Sequence, residues 1–159
     1  MKLSSAIIGG LAGAVAVTLI HEVVKRNDSE APRMDLLGMD AISKILRKAD
    51  QPVPQEDKLF KITLAGDIIS NAVYYGFAVA SNKRIWTGGT ILGLAAGIGA
   101  VVLPKHLGLN SAYSNRTAKT QLMTSSLYLV GGLVSSAVAK LLESKRKKKG
   151  LAGKKLLTF

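Results

Sequence analysis

The chain has 159 residues, a length that suits one domain, and its 48% hydrophobic content is ordinary for a soluble protein. It has no cysteine, which excludes a disulfide framework, a thiolate metal site and a cysteine nucleophile. A formal net charge of +12, from 22 Lys and Arg against 10 Asp and Glu, suits nucleic acid, anionic lipid or the loops of a membrane protein, and its placement along the chain has to choose.

Placement is informative because the apolar residues gather into four stretches, each close to the ~20 residues that cross a hydrocarbon core of about 30 Å. The first, 3–24, follows Lys2 and is rich in small residues (Gly9, Gly10, Ala12, Gly13, Ala14, Ala16). It closes with His21, Glu22, Lys25 and Arg26. A signal peptide also begins with a short basic segment before an apolar core, but this run is long for one and no clear A-x-A site with a mature soluble domain follows.

Residues 25–61 are polar, and within them 34–49 reads as an amphipathic helix with Leu36, Leu37, Met39, Ala41, Ile42, Ile45 and Leu46 on its apolar face. Pro32 precedes it, Asp35 lies in its first turn, Arg47 and Lys48 lie in its last, and Pro52 and Pro54 close it. Such a helix lies in the headgroup plane or packs on a bundle.

The second stretch, 59–81, and the third, 85–103, are separated only by Asn82, Lys83 and Arg84, which predicts an antiparallel hairpin. Trp86 sits where an interfacial aromatic belongs, and Pro104 is expected to stop the third helix. The fourth stretch, 120–142, runs into a basic tail over 144–159. The expected fold is therefore all-α: a four-span membrane domain over 1–143 with one interfacial helix, then a tail. Four crossings put both termini on one side. Basic residues divide evenly between the two sides, and the dense run at 145–149 favours the cytoplasm for the termini.

Asp67 is the most informative single residue. It lies roughly 12 Å of rise into the second span, with Ser70, Asn71 and Tyr74 at i+3, i+4 and i+7. A carboxylate at that depth has to face the bundle or water. The polar stripe Asp67, Ser70, Asn71, Tyr74 reads either as a proton or cation relay or substrate contact, or as a hydrogen-bonded cluster that fixes packing. His21 and Glu22 lie about 6 Å shallower on the same side and read as an interfacial pair snorkelling to headgroups. With His106 they offer metal-ligand residue types, but no pair has H-x-x-x-H spacing, so no metal is expected.

Gly89, Gly93 and Gly97 recur at every fourth position, and Gly9 and Gly13 form a GxxxG; both patterns point to close helix packing. Lys145, Arg146, Lys147, Lys148 and Lys149 lack interleaved aromatics, so anionic lipid headgroups rather than nucleic acid are the expected partner. Serine nucleophile elbows, kinase signatures and histidine boxes are absent, so neither an enzyme nor a cofactor is expected.

The small-residue run Gly9-Gly10-Leu11-Ala12-Gly13-Ala14, the exit His21-Glu22, then Ala31-Pro32-Arg33, Val101-Val102-Leu103-Pro104 and Leu107-Gly108-Leu109 together resemble bacterial inner-membrane proteins of the YagU-like type. The resemblance covers about half the chain and implies a four-helix inner-membrane protein without an assigned activity. The expected role is a structural or accessory subunit of a larger membrane complex, partnered by the bilayer and by other membrane subunits or itself. The alternative is a small oligomeric transporter or channel with its polar path at Asp67.

Overall fold

The computed structural model describes the backbone of residues 2–80 and 84–156, with side chains as far as Lys148. Among the described residues the protein is all helix: α1 Leu3–Asn27, α2 Met34–Lys48, α3 Glu56–Ala78, α4 Ile85–His106, the single turn α5 Ala112–Asn115, and α6 Ala118–Leu156. Charges sit where the helix dipole favours them, with Glu56 and Asp57 in the first turn of α3 and Lys25 and Arg26 in the last turn of α1.

The packing order follows from small residues. Gly9 of α1 lies on Ser135 and Ala139 of α6, Gly10 on Ala72 and Gly76 of α3, and Gly89 of α4 on Gly132 and Ser136 of α6. Contacts at Gly93 with Leu129 and at Gly97 with Ser125 continue the α4–α6 seam toward the other end. Each pair runs antiparallel, and α6 lies along both α1 and α4. α2 closes the end opposite the termini, with Gly38 against the Thr63 methyl, and is pinned by Asp40, which accepts from the Asn110 N–H at 2.9 Å. The amphipathic helix thus packs against α3 and α5.

The distribution of residues is inverted relative to a water-soluble protein. Leu19 is 61% exposed, Ile91 58% and Phe77 75%, whereas Thr124, Ser135 and Ser136 are fully buried. Apolar side chains ring the bundle and small polar ones fill it, which is the arrangement hydrocarbon solvent demands.

Three helices, not the expected four, are long and apolar enough to cross a membrane: α1, α4 and α6. The shortfall is in α3, which has the length, 23 residues, but dilutes its apolar content with Lys61, Asp67, Ser70 and Asn71. Two further boundaries differ. Pro104 does not stop α4, which continues to His106 with Pro104 inside its last turn. Nor does the basic tail begin at a break: it is helical as far as Leu156, making α6 39 residues long, roughly 58 Å at 1.5 Å per residue. Asn82 and Lys83 of the expected hairpin lie outside the described residues.

The seams predict a contrast between glycines. A Cβ at Gly97 would lie 2.6 Å from the Ser125 Cα, whereas one at Gly66 of α3 meets nothing within 4 Å. Gly97→Ala should destabilise the bundle by about 1–3 kcal/mol, and Gly66→Ala should stabilise it by about 0.5–1 kcal/mol. Thermal unfolding in mild detergent followed by Trp86 fluorescence reads both; equal shifts would refute backbone contact as the basis of the seams.

Candidate functional site

A small cavity of about 40 Å³, walled largely by apolar side chains, lies where α1, α2, α3 and α6 meet. At roughly 10–15 Å³ per water, it has room for about three water molecules. Its polar lining is Thr18, His21 and Glu22 from α1, Asp35 from α2, Thr63 and Asp67 from α3, and Tyr128 from α6.

Each group is placed by a distinct local cause. His21 is only 6% exposed because the α1–α2 link folds over it, and its Nε2–H donates to the Pro32 carbonyl at 2.9 Å. A carbonyl only accepts, so neutral His21 carries its proton on Nε2 and leaves Nδ1 free. This corrects the expected snorkelling but keeps the pair: His21 is buried, its Nδ1 stands 4.0 Å from Glu22, and Glu22 also pairs with Lys25 at 2.6 Å. His106 is exposed at the end of α4 and joins neither residue.

Lys25 also reaches Asp35 at 3.2 Å, and Arg33 grips Asp35 with two N–H groups at 3.1 and 3.0 Å. Burial opposes ionisation of Asp35, yet the Arg33 pair, the Leu36 N–H and Lys25 outweigh it and hold the carboxyl at about 2. A second clamp joins the α1–α2 link to the start of α6: Lys119 meets Asp28 at 2.6 Å and Glu30 at 3.5 Å, and the Thr120 hydroxyl donates to the Glu30 carbonyl. The Lys119 ammonium, and then the Glu30 N–H, hold the Asp28 carboxyl below its ordinary range.

The expected stripe on the second span is divided. Asn71 donates to Asp67 at 2.9 Å, but the Ser70 hydroxyl turns back to the Asp67 backbone carbonyl on an exposed face. Tyr74 donates to the Leu92 carbonyl of α4. The buried row is instead Thr63, Asp67, Asn71, Tyr75, four residues apart throughout. Tyr75 is fully buried and donates to the Tyr128 carbonyl. Extending the Asp67–Asn71 interval by one step each way picks out Thr63 and Tyr75. Recruitment of His21 and Tyr128 carries no such local signal, since it depends on how α1 and α6 dock.

Gly9, Gly13, Gly89, Gly93 and Gly97 all lie buried in the helix seams. In the basic run, Lys145, Lys147 and Lys148 are exposed. Arg146 is partly engaged, donating to Ser4 at 2.9 Å and Ser5 at 3.3 Å. The side chain of Lys149 lies outside the described residues.

The fold and its inverted surface define a multi-pass membrane protein. No family model, curated protein or solved structure matches the chain. What it does is therefore read from its own geometry.

The Asp35 clamp predicts a pH dependence. A carboxyl held at about 2 against an ordinary 3.8 contributes stability that is present above pH 4 and lost as pH falls from about 4 toward 2. The contribution is about 2 kcal/mol. Limited proteolysis of the 28–55 region should accelerate over that window, and Asp35→Asn should show the fast rate already at pH 7. Unchanged cleavage would show that the clamp does not hold α2 down.

Proposed function

We propose that the chain is a structural or accessory subunit of a larger membrane complex, docked on its partner through the outer face of α3. One observation carries this. Among the described residues α3 is the one long helix without a stretch apolar enough to cross a membrane, yet it presents an open face. α1 packs along its length, α2 lies against it around Thr63, α6 meets it at Tyr75, and α4 meets it at Tyr74 and Ala78. Its free face carries Gly66 and Ser70, one turn apart, flanked by Ile62, Ile69 and Val73, and space is open around Gly66. Small residues there let a partner helix approach closely, and a polar partner relieves α3 of exposing serine to lipid.

On this reading α3 is a fourth crossing. It runs antiparallel to α1 from Gly10 to His21 and shares its depth, with the Asp67 carboxylate turned into the cavity rather than into hydrocarbon. Both termini then lie on one side, and the exposed lysines at 145, 147 and 148 favour the cytoplasmic face of a bacterial inner membrane and its anionic headgroups. A transport role at Asp67, Ser70, Asn71 and Tyr74 is less well supported, because Ser70 and Tyr74 spend their hydroxyls on backbone carbonyls away from the cavity.

Native mass spectrometry of the protein extracted in mild detergent from its own membrane tests the assignment. Other subunits should co-purify at fixed stoichiometry, and Gly66→Leu should reduce that recovery at least about tenfold while the isolated protein keeps its unfolding temperature. A lone monomer or homo-oligomer would overturn the accessory role.

A further inference from the structure

We infer that the cavity between α1, α2, α3 and α6 binds one exchangeable proton, held between His21 and Asp67 through water. The inference is independent of the docking role of α3. It starts from charge balance over every element facing the cavity. Glu22 of α1 and Asp35 of α2 are matched by Lys25 and Arg33 at 2.6 to 3.2 Å. Arg26 approaches Glu22 only to 4.0 Å from an exposed position. From α6 the cavity receives Tyr128, which brings no fixed charge.

Asp67 is left over. Among the described residues it forms no ion pair, and its one side-chain hydrogen bond comes from Asn71. His21 lines the same cavity. One added proton balances the cavity whether it forms an O–H on Asp67 or an N–H on His21, and it is drawn from bulk water in either case. Because Nε2–H is committed to the Pro32 carbonyl, Nδ1, which also stands 4.0 Å from the Lys25-paired Glu22, is the imidazole position that gains or loses it.

A second observation points to the water. Thr63 is 5% exposed and lines the cavity, yet its Oγ1 has no partner. A buried hydroxyl is ordinarily satisfied, and the 40 Å³ beside it is room for about three waters, which would link Thr63, Asp67 and Nδ1. The site is thus a protonatable pair bridged by water, sealed on one side by Pro32 and α2.

Histidine-selective ¹⁵N NMR and infrared difference spectroscopy of the full chain in lipid nanodiscs, titrated with pH, test this. A protonated-carboxyl stretch should appear as pH falls and vanish in Asp67→Asn. In that variant the His21 midpoint should move to at least about tenfold higher proton concentration, since a facing carboxylate favours the imidazolium. Thr63→Val leaves every charge in place and should also move the midpoint, so the test survives if Asp67→Asn fails to fold. A midpoint unchanged in both variants would overturn the shared proton. So would a carboxyl stretch absent from the wild type at every pH, or an Asp67-dependent rise in unfolding temperature on adding Na⁺ or K⁺, which would assign the charge to a metal cation.

Discussion

Everything in this bundle depends on helices touching backbone to backbone. Lipid is as apolar as leucine, so no hydrophobic gain draws these helices together. Cohesion has to come from close atomic contact and from hydrogen bonds made in a dry interior. Gly9 and Gly13 on α1, Gly131 and Gly132 on α6, and Gly89, Gly93 and Gly97 on α4 remove the side chains that would hold the axes apart. Large aliphatic residues are pushed outward as a result, and the surface becomes the apolar part of the molecule.

Close approach also brings side-chain hydroxyls to carbonyls of the facing helix. Tyr75 donates to Tyr128 and Ser136 to Ile85, both across helix boundaries. Thr124 of α6 donates to the Ser114 carbonyl of α5 as well as to its own helix. In water these bonds would compete with solvent; here the alternative is an unpartnered hydroxyl in hydrocarbon. Among the described residues two buried hydroxyls, those of Thr63 and Ser114, depart from that background, and of the two it is Thr63 that borders the cavity. The functional candidate is the place where the packing rule is relaxed.

How much of this was legible follows from whether a feature is local. The apolar runs around Leu19, Ile91 and Leu129 announce helices, and α2 begins at Met34 as the pattern of Asp35, Leu36 and Leu37 indicates. Glycine spacing identifies faces without saying which face meets which. The run 59–81 reads as an apolar stretch, yet Lys61, Asp67 and Asn71 keep α3 below the apolar content of α1, α4 and α6. The basic residues from 144 onward continue α6 as far as Leu156, because Lys, Leu and Ala sustain a helix. The polar stripe was misphased for a simple reason. Ser70 and Tyr74 share a broad face with Asp67, and only the position of α1 decides that the four-residue row through Thr63 and Tyr75 is the buried one.

The two ends of the chain are fastened to each other. Arg146 of α6 holds Ser4 and Ser5 of α1 across 142 and 141 residues of sequence, and Glu143 accepts the Lys2 backbone N–H at 3.1 Å. α1 thus meets α3 through Gly10 and α6 through Gly9 and Gly13, the second seam joining segments roughly 120 residues apart in sequence. Contacts of such separation cost loop-closure entropy before they are rewarded, so the α1–α6 seam is the slow step of assembly on topological grounds.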